Sequence, residues 1–117
     1  MPRSTIFLKN PITFSQDLSS AALSYSTTLT RPFKLEEITI HASVAITETI
    51  TITKDSVSGA AYDVVLRTRD LSSEQSFVFR PEGDKGLFNA GDKIKIECTE
   101  ANGTGVVSGE IKLSSGA

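Results

Sequence analysis

The amino-acid sequence predicts an all-β fold, an antiparallel β-sandwich or jelly-roll-like small barrel with little or no helix, and three observations carry that reading. Apolar and polar residues alternate with a period of two through most of the chain, as they do when successive side chains point to opposite faces of a strand. Ser, Thr, Ile and Val are abundant, and β-branched side chains favour a pleated, half-buried surface over a helix. Turn signals, "RPEGDKG", "NAGD" and "EANGTG" among them, separate the runs at the short spacing of sandwiches and barrels. With 117 residues the chain fits one domain, long enough to bury a core without metal or disulfide.

Each element follows from its own pattern. Residues 1–16 gather Ile6, Phe7, Leu8, Ile12 and Phe14 around Pro11, which suits either an arm that docks on a neighbouring protein or the edge strand of a domain spanning residues 17–117. In "AALSYSTTLT", Leu18, Ala22, Tyr25 and Leu29 fall near one helical stripe. Ala21, Leu23, Tyr25, Thr27 and Leu29 alternate cleanly, however, and the stretch is read as a strand. "FKLEEITIHAS" changes parity at Glu36 and Glu37: Phe33 and Leu35 share one phase, Ile38, Ile40 and Ala42 the other. One extra residue there would form a bulge and keep both sets inward.

In "ETITITKDSVSGAAYDVVLRTRD", Ile46, Ile50 and Ile52 share a dry face opposite Thr47, Thr49, Thr51 and Thr53. The second run sets Tyr62, Val64, Leu66 and Thr68 against Asp63, Val65, Arg67 and Arg69, and the Asp, Ser and Gly between the runs predict a hairpin or a short crossover. "SFVFR" predicts a strand through Phe77 and Phe79, "KIKIECT" one through Ile94, Ile96 and Cys98, and "GVVSGEIKLSS" one through Val107, Ile111 and Leu113. Asn102 and Gly103 form a strong hairpin signal, so the last two strands are expected to pair antiparallel.

Composition and motifs narrow the function by exclusion. Twelve basic against fourteen acidic side chains create no field to hold a nucleic acid or an anionic membrane. No run approaches the roughly 20 apolar residues that span a bilayer, and the amino terminus lacks a signal-peptide core, so synthesis and folding in a cytoplasm are expected. Cys98 is the single cysteine, which excludes an intrachain disulfide, and its parity with Ile94 and Ile96 marks it as a small buried hydrophobe.

No catalytic motif is present, and an enzyme is not expected. His41, the single histidine, sits between Ile40 and Ala42 on the polar side of a strand, where a histidine is ordinarily solvated. Asp84, Asn89 and Asp92, or Asp55 with Asp63, supply oxygens but not the six to eight that calcium takes, so they are read as turn and cap residues and no metal or cofactor is expected. Glu36 and Glu37 are adjacent on a strand and are expected to face opposite ways. Arg67, Arg69 and Arg80 make a patch only if their strands are neighbours, with Asp63, Asp70, Glu74 and Glu82 close in sequence to balance them.

One resemblance adds to this reading. "PFKLEEITIHAS", then "ETITITKDSVSGAAYDVVLRTRD", then "LFNAGDKIKIECTEANGTG" resemble a pattern found in small proteins encoded among the head and tail genes of tailed bacteriophages. The matching positions include Pro32, Phe33, Leu35, Ile38, His41 and Ser43, then Asp55, Ser56, Gly59, Tyr62 and Asp63, then Ala90, Gly91, Asp92 and Ile94. They span roughly the last two thirds of the chain, carry no catalytic motif and leave the first thirty residues unmatched. The resemblance implies a virion component that decorates the capsid or sits in the neck or tail, with copies of itself and capsid or tail proteins as partners. A carbohydrate- or receptor-binding β-sandwich is the alternative, although Trp is absent and Tyr25 and Tyr62 are the only tyrosines available for a stacking platform.

Overall fold

The computed structural model describes residues 12–44, 46, 49–71, 75–98 and 104–115. Among them lie β1 Ile12–Asp17, β2 Ser24–Thr28, β3 Phe33–Ala42, β4 Thr49–Asp55, β5 Val64–Asp70, β6 Ser76–Phe79, β7 Leu87–Phe88, β8 Lys93–Glu97 and β9 Val106–Ser115. One sheet runs β1-β9-β3-β6 with β7 also on β3; the second runs β2-β8-β4-β5. Every pairing is antiparallel. The only helical turns are the two short 3-10 segments Ala60–Tyr62 and Gly83–Gly86, so the all-β expectation holds for the described residues.

Among the described strands only β4 and β5 are chain neighbours that also pair; nearly every other connection carries the chain from one sheet to the other. That interleaving is the jelly-roll arrangement, in which pairing partners are distant in sequence and the two sheets face each other across one core. It overturns the expectation that the last two strands form a hairpin. β8 lies between β2 and β4, and β9 lies between β1 and β3, so neither has an edge left for the other. The Asn102–Gly103 turn signal lies outside the described residues, and a turn signal reports a local reversal without saying which sheet the chain enters next.

Alternation decides which side chains are buried. Leu35, Ile38, Ile40 and Ala42 of β3, Ile50 and Ile52 of β4, Ile94 and Ile96 of β8, and Val107, Ile111 and Leu113 of β9 are all buried. The β3–β9 register slips between Leu35 and Glu37, so the bulge expected at the two glutamates is present and turns both Leu35 and Ile38 inward. Each of the Leu, Ile and Val side chains among them contributes about 1.5–3 kcal/mol through burial. In the crossover from β1 to β2, Asp17 accepts hydrogen bonds from the Ser19 hydroxyl (2.7 Å) and the Ser19 amide (2.9 Å), which hold its carboxyl below the usual aspartate range.

Residues 12–16 belong to β1, whose register with β9 runs from Ile12 opposite Ile111 to Asp17 opposite Val106. The segment is therefore an edge strand from Ile12 onward, and the boundary placed between residues 16 and 17 falls inside it. Phe14 is buried there and stacks on Tyr25 of β2, ring centroids 5.1 Å apart, closing that side of the sandwich across the two sheets. The stack depends on Gly109, Phe14's partner on β9: a Cβ at that position would lie 2.6 Å from the Phe14 ring and 2.5 Å from the Thr39 carbonyl oxygen. Gly109→Ala is therefore expected to destabilise the domain by about 1–3 kcal/mol, read as a lower urea midpoint with unchanged slope. An unchanged midpoint would show that the ring and the ladder move aside freely.

Candidate functional site

The two open sides of the sandwich are built differently. Where β1 and β2 meet, an aromatic stack seals the gap; where the other two edge strands, β5 and β6, meet, charged side chains do. The β4–β5 register slips between Ile52 and Thr53, so Val65 lies opposite Thr53 while Arg67 lies opposite Ile52 and Arg69 opposite Ile50. Ile50 and Ile52 point into the sandwich, and the slip therefore aims Arg67 and Arg69 toward the facing sheet while Val65 stays on the outer face with Thr53. Simple alternation would have kept Val65, Arg67 and Arg69 on one side. Arg69 lies over the Phe77 ring of β6, 5.7 Å from its centroid, which joins the two edges by a cation–π contact.

Beyond that contact the edges part into a cleft of about 450 Å³. Half-buried Leu66 and Phe79 supply its apolar surface, with Val78 and Pro81 beside them. Arg67, Arg80 and Lys85 are its cations and Glu82 its carboxylate. Lys85 and Leu66 also border a second depression with Val64 and Lys54, whose ammonium donates to the Leu87 carbonyl (2.7 Å) and lies over the Phe88 ring. Arg67 and Arg80 thus do come together, and Lys85 joins them from the 3-10 turn, a tertiary juxtaposition with no sequence signal.

Arg80 is anchored by Glu37. Its Nε and a terminal guanidinium nitrogen donate to Glu37 Oε1 at 3.0 and 2.8 Å, and the Lys112 ammonium stands 3.4 Å from Oε2. Partial burial pushes the Glu37 carboxyl up; the hydrogen bonds and charges of Arg80 and Lys112 outweigh it and hold the group below the usual glutamate range. The carboxylate bridges β9, β3 and β6 on the outer face. Glu36 accepts a hydrogen bond from Ser114, which shares the Lys112 face of β9, so the bulge brings both glutamates to one side rather than to opposite faces.

Asp92 is fully buried and ties two loops together. Its Oδ1 accepts from the Val57 amide in the β4–β5 loop (2.9 Å) and its Oδ2 from the Asn89 amide in its own turn (2.8 Å). Gly91 stands at φ +93, and a Cβ there would lie 2.7 Å from Val57, so glycine is required by conformation and by space alike. Asp63 performs a similar task, accepting from the Ser56 amide at 2.7 Å. These are the turn and cap roles expected of them. The Asp84 side chain lies outside the described residues, and no group of three or more metal-ligating side chains occurs among those described.

The remaining candidates are dispersed. His41 is exposed on the outer face of the first sheet beside Ser108, its partner on β9, and shares a shallow depression with Thr13, Thr39 and Glu110. Cys98 is buried and its sulfur accepts from the Leu23 amide at 3.3 Å. Ile12 packs half-buried against the core, Phe14 is buried in it, and Ile6, Phe7 and Leu8 lie outside the described residues.

Two outcomes follow from these anchors. Asp92→Ala leaves the Val57 and Asn89 amides without their acceptor and is expected to cost about 2 kcal/mol or more in urea unfolding; a loss within error would show that water replaces the carboxylate. The folded Glu37 value lies below its unfolded one, so the stabilisation is complete above the unfolded value of about 4.3 and is lost as pH falls through the folded value. The urea midpoint of the wild type should therefore fall more steeply between pH 5 and pH 3 than that of Glu37→Gln, an effect reduced by salt because Arg80 and Lys112 are exposed. Parallel profiles would remove Glu37 from the acid response.

A scan against protein-family models and a search of curated proteins both return no match. Among solved structures, a chain in the structure of infectious bursal disease virus, Gx strain, aligns with 97% of this chain at 12% sequence identity and a TM-score of 0.43. The alignment covers 32% of that viral chain.

Proposed function

We propose that the chain is a non-enzymatic structural component of a tailed-phage virion, a capsid decoration or head–tail accessory module that works through protein–protein contacts. The observation that carries the reading is the surface at the β4–β5 hairpin. Val57 is 59% exposed, Tyr62 65% and Val65 59%, with Val64 and Leu87 also uncovered. Apolar side chains concentrated on one edge strand and its loop mark a surface that associates with another protein. The resemblance of residues 32–105 to phage head and tail proteins supplies the biological setting. A jelly roll by itself does not choose, since viral capsid and lectin domains both use it.

The partners proposed are copies of the chain itself and capsid or tail proteins, with neither nucleic acid nor membrane. The Thr-rich outer face formed by Thr49, Thr51 and Thr53 suits a subunit seam, because threonine methyls tolerate burial and the hydroxyls find partners across it. The glycan-binding alternative draws on the exposed Tyr62 ring, but Tyr25 is half-buried and stacked on Phe14. A single ring is a poor sugar platform, and a glycan signal that Tyr62→Ala abolishes would favour that alternative.

Mass spectrometry of purified virions should find the chain, and light scattering should find an oligomer at high protein concentration. Absence from particles together with a strict monomer would overturn the reading. Deleting residues 1–11, which removes Ile6, Phe7 and Leu8 but spares β1, should weaken particle binding while the circular dichroism spectrum stays that of a β protein. Undiminished binding would dismiss those residues as an arm.

A further inference from the structure

We propose that the cleft between β5 and β6 receives an extended, carboxylate-rich polypeptide segment laid along the edge of β5. This rests on the reading that the chain works through protein contacts and names the chemistry of one partner. Three observations converge. First, β5 pairs with β4 on one side only, so along its other side its backbone has no strand partner among the described residues; an added strand satisfies those groups with main-chain hydrogen bonds. Second, apolar side chains are offered to such a strand: Leu66 and Phe79 line the cleft, and exposed Val64 borders the depression that adjoins it at Leu66. Third, the charge is one-sided. Arg80 is already paired with Glu37, but Arg67 and Lys85 have no ion-pair partner among the described residues and share the cleft with the one lining carboxylate Glu82, in a chain whose net charge is −2.

The same charges decide among occupants. In the symmetric register centred on Thr68, a second copy laid antiparallel on β5 would set Arg67 against the other copy's Arg69, and facing like charges on paired strands are destabilising. Cations on an edge strand ordinarily guard it against self-association. Here they exclude the identical edge and admit a complementary one, so discrimination comes from repulsion as much as attraction. A phosphate backbone satisfies the cations but leaves the valines and Phe79 uncovered. An acidic β-segment with alternate apolar residues satisfies both.

The test uses a fluorescein-labelled peptide of alternating Val and Glu, a Val–Lys counterpart and a single-stranded oligonucleotide, each titrated into the full chain at low ionic strength and followed by anisotropy. Wild type should bind the acidic peptide, with affinity falling as salt is added. Combining Arg67→Glu with Lys85→Glu should weaken that binding by about tenfold or more and bring on binding of the Val–Lys peptide. Both side chains are exposed, so the urea midpoint should hold, and Arg67→Gln with Lys85→Gln supplies a second, neutral variant with an intermediate loss. Amide exchange should slow within residues 64–70 on binding. No binding by wild type, equal binding by the reversed variant, preference for the oligonucleotide, or protection confined to another face would each overturn the proposal. Virion mass spectrometry reads the broader function independently: a chain found in particles whose cleft ignores acidic peptides loses this inference alone, and a chain absent from particles whose cleft takes them loses only the virion role.

Discussion

The structure depends on the pairing of β3 with β9. These are its two ten-residue strands, and their register joins Phe33 to Ser115 and Ala42 to Val107, residues that are far apart in sequence. Everything else attaches to this ladder: β1 extends it beyond β9, β6 and β7 share the far edge of β3, and the second sheet packs on the inner face where Ile38 and Ile40 meet Ile111. Because so long a stretch of chain must close before the ladder forms, its entropy cost precedes its reward. Isolated hairpins cannot carry the fold, since among the described strands only the β4–β5 pairing is local.

That nonlocality explains what the residues disclosed and what they did not. Alternation alone located β3, β4, β6, β8 and β9 and assigned Ile50, Ile52, Ile94, Ile96 and Ile111 to the interior, because burial on one face is a period-two property visible within each strand. Even the β3 bulge was legible, since Leu35 and Ile38 break parity and both need the core. Pairing partners were not legible. A strand that reads "KIKIE" buries the same side chains whether its neighbour is β9 or β2, so the Asn102–Gly103 signal suggested a hairpin where the chain changes sheets.

The candidate site was harder to see for the same reason. Arg67, Arg69 and Arg80 were visible as charges, but which side they face turns on a second bulge, at Leu66, that no parity break announces. Val65 remains outside while Arg67 and Arg69 turn inward, so a strand that reads as simply two-faced carries its cations over the mouth of the core. Lys85 and Phe79 enter only through tertiary packing. The turn aspartates were better served by sequence: Asp63 closes the β4–β5 loop by holding the Ser56 amide, and Asp92 ties the start of that loop to its own turn through the Val57 amide.

Both bulges bear on the cleft. The first sends Glu37 to the outer face, where it fixes the Arg80 guanidinium at the end of β6 and ties β3 to β9 through Lys112. The second aims Arg67 across the gap from β5. Arg80 is therefore held in place by a carboxylate even though its side chain is 71% exposed, while Arg67 has no ion-pair partner among the described residues and lies on a single-sided strand. A cation already committed to Glu37 loses little further freedom when a ligand arrives, and rotamers fixed in advance lower the entropy cost of association. Without Glu37, the arginines on these two separate elements would repel each other and favour splaying the edges apart. The Glu37 bridge removes that tendency by neutralising one wall, and leaves the net positive charge on β5 and Lys85, beside the backbone edge where a strand would add.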